Sequence, residues 1–119
     1  MKLGLYFFGF FLLFSCAHQV VPAPDKLLSM EEMEAIVYDI SILQAAVQTD
    51  RTYFKEQSIT PLSYVFKKYA IDSLVYVQND LYYASRPQEY EVIYRRVEKR
   101  LQALKLSYDK ASLEETSIK

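Results

Sequence analysis

The feature that most constrains this chain is an uninterrupted apolar run from Leu3 to Phe14, preceded by a single charge, Lys2. The run holds five of the seven phenylalanines, and it has no polar face, no N-cap and no amphipathic period. Twelve helical residues rise about 18 Å, against a hydrocarbon core of roughly 30 Å. A transmembrane helix needs more length, whereas the h-region of a secretory signal does not. Residues 1–15 are therefore read as a cleaved signal peptide, and the fold must be built from the residues after it. In a chain of 119 residues that leaves room for one small domain.

Leu13-Phe14-Ser15-Cys16 resembles the bacterial lipobox, in which a small residue precedes a cysteine that accepts diacylglycerol. Cys16 is the only cysteine, so no internal disulfide can form. A thiol directly after an h-region and a small residue is expected to be acylated. Each buried methylene contributes about 0.8 kcal/mol, and stable anchoring takes about two chains. The resemblance to lipoproteins implies three chains, palmitate among them in the usual chemistry of such anchors. Residues 16–28 read as the lipidated Cys and a flexible tether, with Pro22 and Pro24 two residues apart. Fully extended, the stretch from 17 to 28 spans about 40 Å.

Residues 29–108 read as an all-α domain, a small bundle of three to four short helices. Ser29 and Glu32 have capping-box spacing, and Met33, Ile36, Val37, Ile40, Leu43 and Val47 form one stripe of a 3.6-residue period. The stripe fades near Gln48-Thr49-Asp50, and residues 51–59 fit either a helix continuing through Tyr53-Phe54 or a loop. Thr60-Pro61 opens a second helix whose buried face is Leu62, Val65, Phe66 and Tyr69. After a break at Ile71-Asp72-Ser73, Leu74 to Ala84 reads as a helix. Its Leu74-Val75-Tyr76-Val77 stretch has strand propensity, but no comparable strand exists to pair with it. Ser85 and Gln88 again show capping-box spacing. Beyond them Tyr90, Ile93, Tyr94, Val97, Leu101, Leu104 and Tyr108 share one helical face, and Glu91 and Arg95 form an i,i+4 pair. Residues 109–119 lose the pattern and are expected to fray. A core of about 80 residues is marginal by itself, so a supporting partner is expected.

Most enzyme classes lack their residue types here. Without residues 1–15 the chain has one histidine, His18, which sits in the tether and is read as solvated. An acylated Cys16 supplies neither a nucleophile nor a metal ligand. Gly4 and Gly9 both belong to the signal, so the mature chain has no Gly-rich phosphate loop and no nucleophile elbow. Glu31, Glu32 and Glu34 cluster where a helix dipole favours them, and Asp80 and Glu89 have no fixed separation that would make a catalytic pair. No alternating acidic run suits calcium. No catalytic residue, metal site or cofactor is assigned. Loss of Lys2 leaves 13 basic against 15 acidic side chains, a net charge of −2. That balance gives no reason to expect nucleic acid or an anionic lipid surface.

Tyrosine stands out, with seven between Tyr64 and Tyr94. Most are expected in the core, with their hydroxyls reaching polar partners. Tyr82 and Tyr83 lie about 100° apart on a helix, so one is expected to face outward and, with Arg86, to form a contact for a protein partner or glycan.

Several stretches together resemble the domain-of-unknown-function 4296 family, small lipoproteins of the Bacteroidota. They are Pro24-Asp25-Lys26-Leu27-Leu28 before Ser29-Met30-Glu31-Glu32-Met33, then Lys68-Tyr69-Ala70-Ile71-Asp72, then Asp80-Leu81-Tyr82-Tyr83-Ala84. The last runs on to Tyr90, Ile93, Tyr94, Val97 and Leu101. Where that family usually carries a serine before the paired tyrosines, this chain has Gln78, Asn79 and Asp80. The resemblance implies a helical fold, a lipid anchor and no established activity. Surface lipoproteins of that lineage tend to be acidic just after the cysteine, and Ala17-His18-Gln19-Val20-Val21 is not. The expected address is the periplasmic face of the outer membrane. The expected role is a non-enzymatic interaction or accessory module of the cell envelope, with an envelope protein as partner. The alternative is a carrier or sensor that binds a small apolar or glycan ligand between Tyr-rich helices, in an enclosed pocket of at least about 300 Å³.

Overall fold

The computed structural model describes residues 21–58 and 60–117, and every regular element among them is a helix. They are α1 (Met30–Thr49), α2 (Arg51–Glu56), α3 (Pro61–Lys68), α4 (Ser73–Ala84) and α5 (Pro87–Ser117). The all-α expectation holds. No described helix is long and apolar enough to cross a membrane.

Local chemistry explains most boundaries. Ser29 caps α1 through a full capping box: Glu32 N–H donates to Ser29 Oγ at 3.1 Å, and Ser29 N–H to Glu32 Oε2 at 2.7 Å. Leu28 before the cap and Met33 one turn in are spaced as a hydrophobic staple, and both lie in the core. The ambiguous stretch after α1 is the short α2, capped by Asp50, whose Oδ1 accepts from Tyr53 N–H at 3.0 Å. Pro61 starts α3 behind an extended Thr60, whose hydroxyl makes no capping bond. Asp72 caps α4, accepting from Val75 N–H at 2.8 Å. This local bond helps decide the Leu74–Val77 stretch for helix.

The α3–α4 turn closes without glycine. Ile71 N–H donates to Phe66 C=O at 3.0 Å and Ala70 N–H to Lys67 C=O at 3.3 Å, the bond pair of a Schellman motif. Ala70 takes the left-handed position usual for glycine, with φ of 51°. Such a conformation costs an alanine about 1 kcal/mol, and half-buried Phe66 and Ile71, packed on the core, help to hold it.

Met33, Ile36 and Ile40 of α1 meet Val65 of α3, Tyr82 and Tyr83 of α4, Ile93 of α5 and Leu28. Each such side chain, taken from water, contributes about 2 kcal/mol. Leu62, expected on the buried face of α3, is 40% exposed; a two-turn helix offers the core few positions. Arg96 reaches Glu31 at 3.4 Å and Arg100 reaches Glu34 at 3.3 Å, so the residue numbers rise together and α1 runs parallel to α5. The Arg100 guanidinium also lies 4.0 Å above the Tyr38 ring. Helix α4 folds back onto α5 through Ser85 and Arg86.

Two boundaries differ from expectation. Ser85 is the C-cap of α4, its hydroxyl donating to Tyr82 C=O at 2.7 Å, and it stands two residues before α5 begins. Proline takes the first helical position of α5, so the residue before it, Arg86, holds the cap and accepts from Tyr90 N–H at 3.0 Å. Residues 109–117, expected to fray, continue α5 as helix, yet every residue from Lys105 to Ser117 is exposed.

Candidate functional site

Among the described residues, a dense set of hydrogen bonds lies where residues 26–28 cross α4. Asn79 is fully buried. Its Oδ1 accepts from Leu28 N–H at 2.7 Å, and its Nδ2 donates to the carbonyls of Lys26 and Val75, both at 2.8 Å. One amide thus serves both sides of the crossing chain and its own helix. The Tyr83 hydroxyl donates to Leu28 C=O at 2.6 Å. Lys26 Nζ donates to Ala70 C=O at 3.2 Å, and Val21 N–H to Ser85 Oγ at 3.2 Å. The stretch expected to be tether is therefore fastened to the domain at Val21 and across residues 26–28. Sequence reasoning does not single out Asn79 as a site residue. The one signal it offers is a polar side chain on an apolar stripe, between Val75 and Tyr83.

Tyr82 and Tyr83 are both buried, at 8% and 3% exposure, which corrects the expectation that one faces outward. Their rings meet edge-on with centroids 5.2 Å apart. The Arg86 guanidinium covers Tyr82 at 4.3 Å and reaches Glu89 at 3.4 Å. The structure does bring the three together, but as a packed corner in which only the half-buried Arg86 reaches solvent. Burial, with Glu89 nearby, holds the Tyr83 phenol above its ordinary range.

A second cluster joins α4 to α5. The Tyr90 hydroxyl donates to that of Tyr94 at 3.1 Å, and the rings lie 4.5 Å apart. Burial raises the phenols of Tyr94 and Tyr76, and it also raises the Asp80 carboxyl beside them. Asp80 Oδ1 is buried with no hydrogen-bond partner among the described residues. Glu89 pairs with Arg86. A third group ties α1 to the end of α3. Asp39 Oδ2 accepts from Lys68 Nζ at 2.6 Å and from the Tyr69 hydroxyl at 2.8 Å. Asp39 holds Lys68 protonated beyond its ordinary range, and burial followed by the same carboxylate raises Tyr69.

At the start of α1, a backbone N–H and then Arg96 lower the Glu31 carboxyl, as the positive end of a helix dipole would. Among the described residues no three His, Cys, Asp or Glu side chains gather as a metal site. Among the open clefts on the described surface are four of about 300 to 540 Å³, and tyrosine lines none of these four. Cys16 and His18 lie outside the described residues.

The model of a family described as Domain of unknown function (DUF4296) matches residues 24–107. The chain belongs to this family. The DUF4296 span opens two residues before the Lys26–Asn79 bond and closes three residues after Leu104, the last half-buried position of α5. It therefore coincides with the packed part of the molecule. No curated protein and no solved structure matches the chain significantly.

Proposed function

We propose that this DUF4296 protein is a lipoprotein of the bacterial cell envelope, held by lipid on Cys16. Its domain serves as a non-enzymatic interaction or accessory module, on the periplasmic face of the outer membrane. The observation that carries the reading is the succession of an apolar run, Ser15 and a lone Cys16, only five residues before the chain is fastened to α4 at Val21. The functional part of the proposal is supported by where the polar groups go. The amide of Asn79, the hydroxyl of Tyr83 and the carboxylate of Asp39 are each committed to internal bonds. These groups stiffen a scaffold rather than await a substrate.

Intact-mass analysis of the protein taken from membranes tests the anchor. It should show loss of residues 1–15 and the added mass of acyl chains, and Cys16→Ser should leave the membrane fraction. A bare thiol on soluble material would refute the anchor. Protease shaving of intact cells tests the face, since digestion without permeabilisation contradicts a periplasmic orientation. Crosslinking in native membranes tests the partner; recovery of the monomer alone under several conditions would count against an accessory role.

A further inference from the structure

We infer that the outer face of α4 lies against the lipid bilayer, a reading that rests on the acylation of Cys16 proposed above. Leu74, Val77 and Leu81 are 62%, 49% and 54% exposed. Their i, i+3, i+7 spacing sets them in one stripe along a helix about 18 Å long. That leaves three aliphatic side chains of one helix face open to an apolar contact. Its occupant is indicated by where the chain leaves the fold. Val21 bonds to Ser85 at the C-terminal end of α4, and residues 21–25 share an open cleft of about 300 Å³ with Gln78 and Leu81. Cys16 is five residues further back, a reach of at most about 18 Å. An acylated Cys16 therefore keeps the Leu81 end of the stripe within that distance of the lipid, and the length of the helix can settle onto it.

The chemistry of the face selects the apolar boundary of the bilayer over charged headgroups. Between Ser73 and Ala84 there is no Lys or Arg, and the one charged residue, Asp80, is half-buried. Three aliphatic side chains are too few to hold a domain on a membrane unaided. They suffice to orient one already held there, because the anchor supplies the local concentration.

The chain contains no tryptophan, so a single substitution gives an unambiguous probe. Val77→Trp, Leu81→Trp and, on the exposed flank of α5, Lys99→Trp are prepared as the acylated protein. Each is reconstituted in phosphatidylethanolamine–phosphatidylglycerol vesicles with brominated acyl chains. The two α4 probes should lose about half their emission to bromine while the α5 probe keeps its own, with no change on adding salt. Quenching of Val77→Trp and Leu81→Trp no greater than that of Lys99→Trp overturns the inference. So does equal, strong quenching of all three. A blue shift without bromine quenching, growing with protein density, also overturns it and assigns the face to a second copy or another protein. If mass analysis finds Cys16 unmodified, the anchor reading fails separately. The same variants coupled through Cys16 to a maleimide phospholipid then decide whether α4 seeks the bilayer when held at that distance.

Discussion

The crossing of residues 26–28 over α4 and the last three turns of α5 are both well-formed backbone, yet different forces hold them. At the crossing, buried polar groups find partners 51 to 55 residues away, so the structure there is tertiary in origin. From Lys105 to Ser117 no residue is buried, and side-chain bonds are local, such as Ser107 Oγ to Leu104 C=O and Thr116 Oγ1 to Ser112 C=O. Local bonds with good helix formers can draw a helix, but they add little to the free energy of the fold. Secondary structure by itself is thus a poor guide to which residues hold this molecule together.

The contrast is most exposed to failure at Asn79. Asn79→Ala strands Leu28 N–H and the Lys26 carbonyl, and should cost about 3 kcal/mol in urea unfolding followed by circular dichroism. A loss within about 0.5 kcal/mol would show that water replaces the amide and that the crossing is not a keystone. Tyr83→Phe keeps the ring and removes one bond to Leu28, with an expected cost of about 1.5 kcal/mol and an unchanged dependence on denaturant.

Asp80 probes buried polarity from the opposite direction. Burial raises its folded-state pKa, so on raising the pH the unfolded chain ionises first and is favoured. Asp80→Asn should therefore be more stable than the parent at pH 7, by up to about 1 kcal/mol given partial exposure. The advantage should vanish at acid pH, below the usual carboxylate range of about 3.9. An advantage that persists there would mean packing, not charge, is responsible. Removing the chain after Leu106 should have the smallest effect, under about 0.5 kcal/mol, while helical ellipticity falls. A larger loss would mean the end of α5 is packed in solution.

The helical architecture is legible in sequence because its signals are short-range. The Ser29–Glu32 box and the Met33–Ile40 stripe lie within a few residues of each other, and both are realised. The links between helices are not legible in this way. Asn79 draws notice only as one of three residues standing where the family usually has a serine, because nothing nearby in sequence shows that residues 26–28 will lie over it. An outward-facing ring at Tyr82 or Tyr83 is expected only if α4 has a single buried side. In fact residues 26–28 cover one flank, α5 packs on another and Arg86 lies over Tyr82, so adjacent rings both find shelter. Ser85 stands two residues ahead of α5 because Pro87 takes the first helical position. The proposed anchor, Cys16, rests wholly on the order of residues around it.

The parallel register of α1 and α5 carries a consequence for how the chain comes together. Glu31 and Arg96 are 65 residues apart in sequence, whereas α4 and α5 meet across a turn of two residues. Closing a long loop costs more chain entropy than closing a short one, so the wide closure is the more costly of the two. Transient openings should therefore begin by separating α1 from α5 and leave the α4–α5 hairpin intact. Native-state hydrogen exchange should accordingly find the α1 amides facing α5 released at lower denaturant than those of α4; the reverse order would mean that the hairpin owes its integrity to α1.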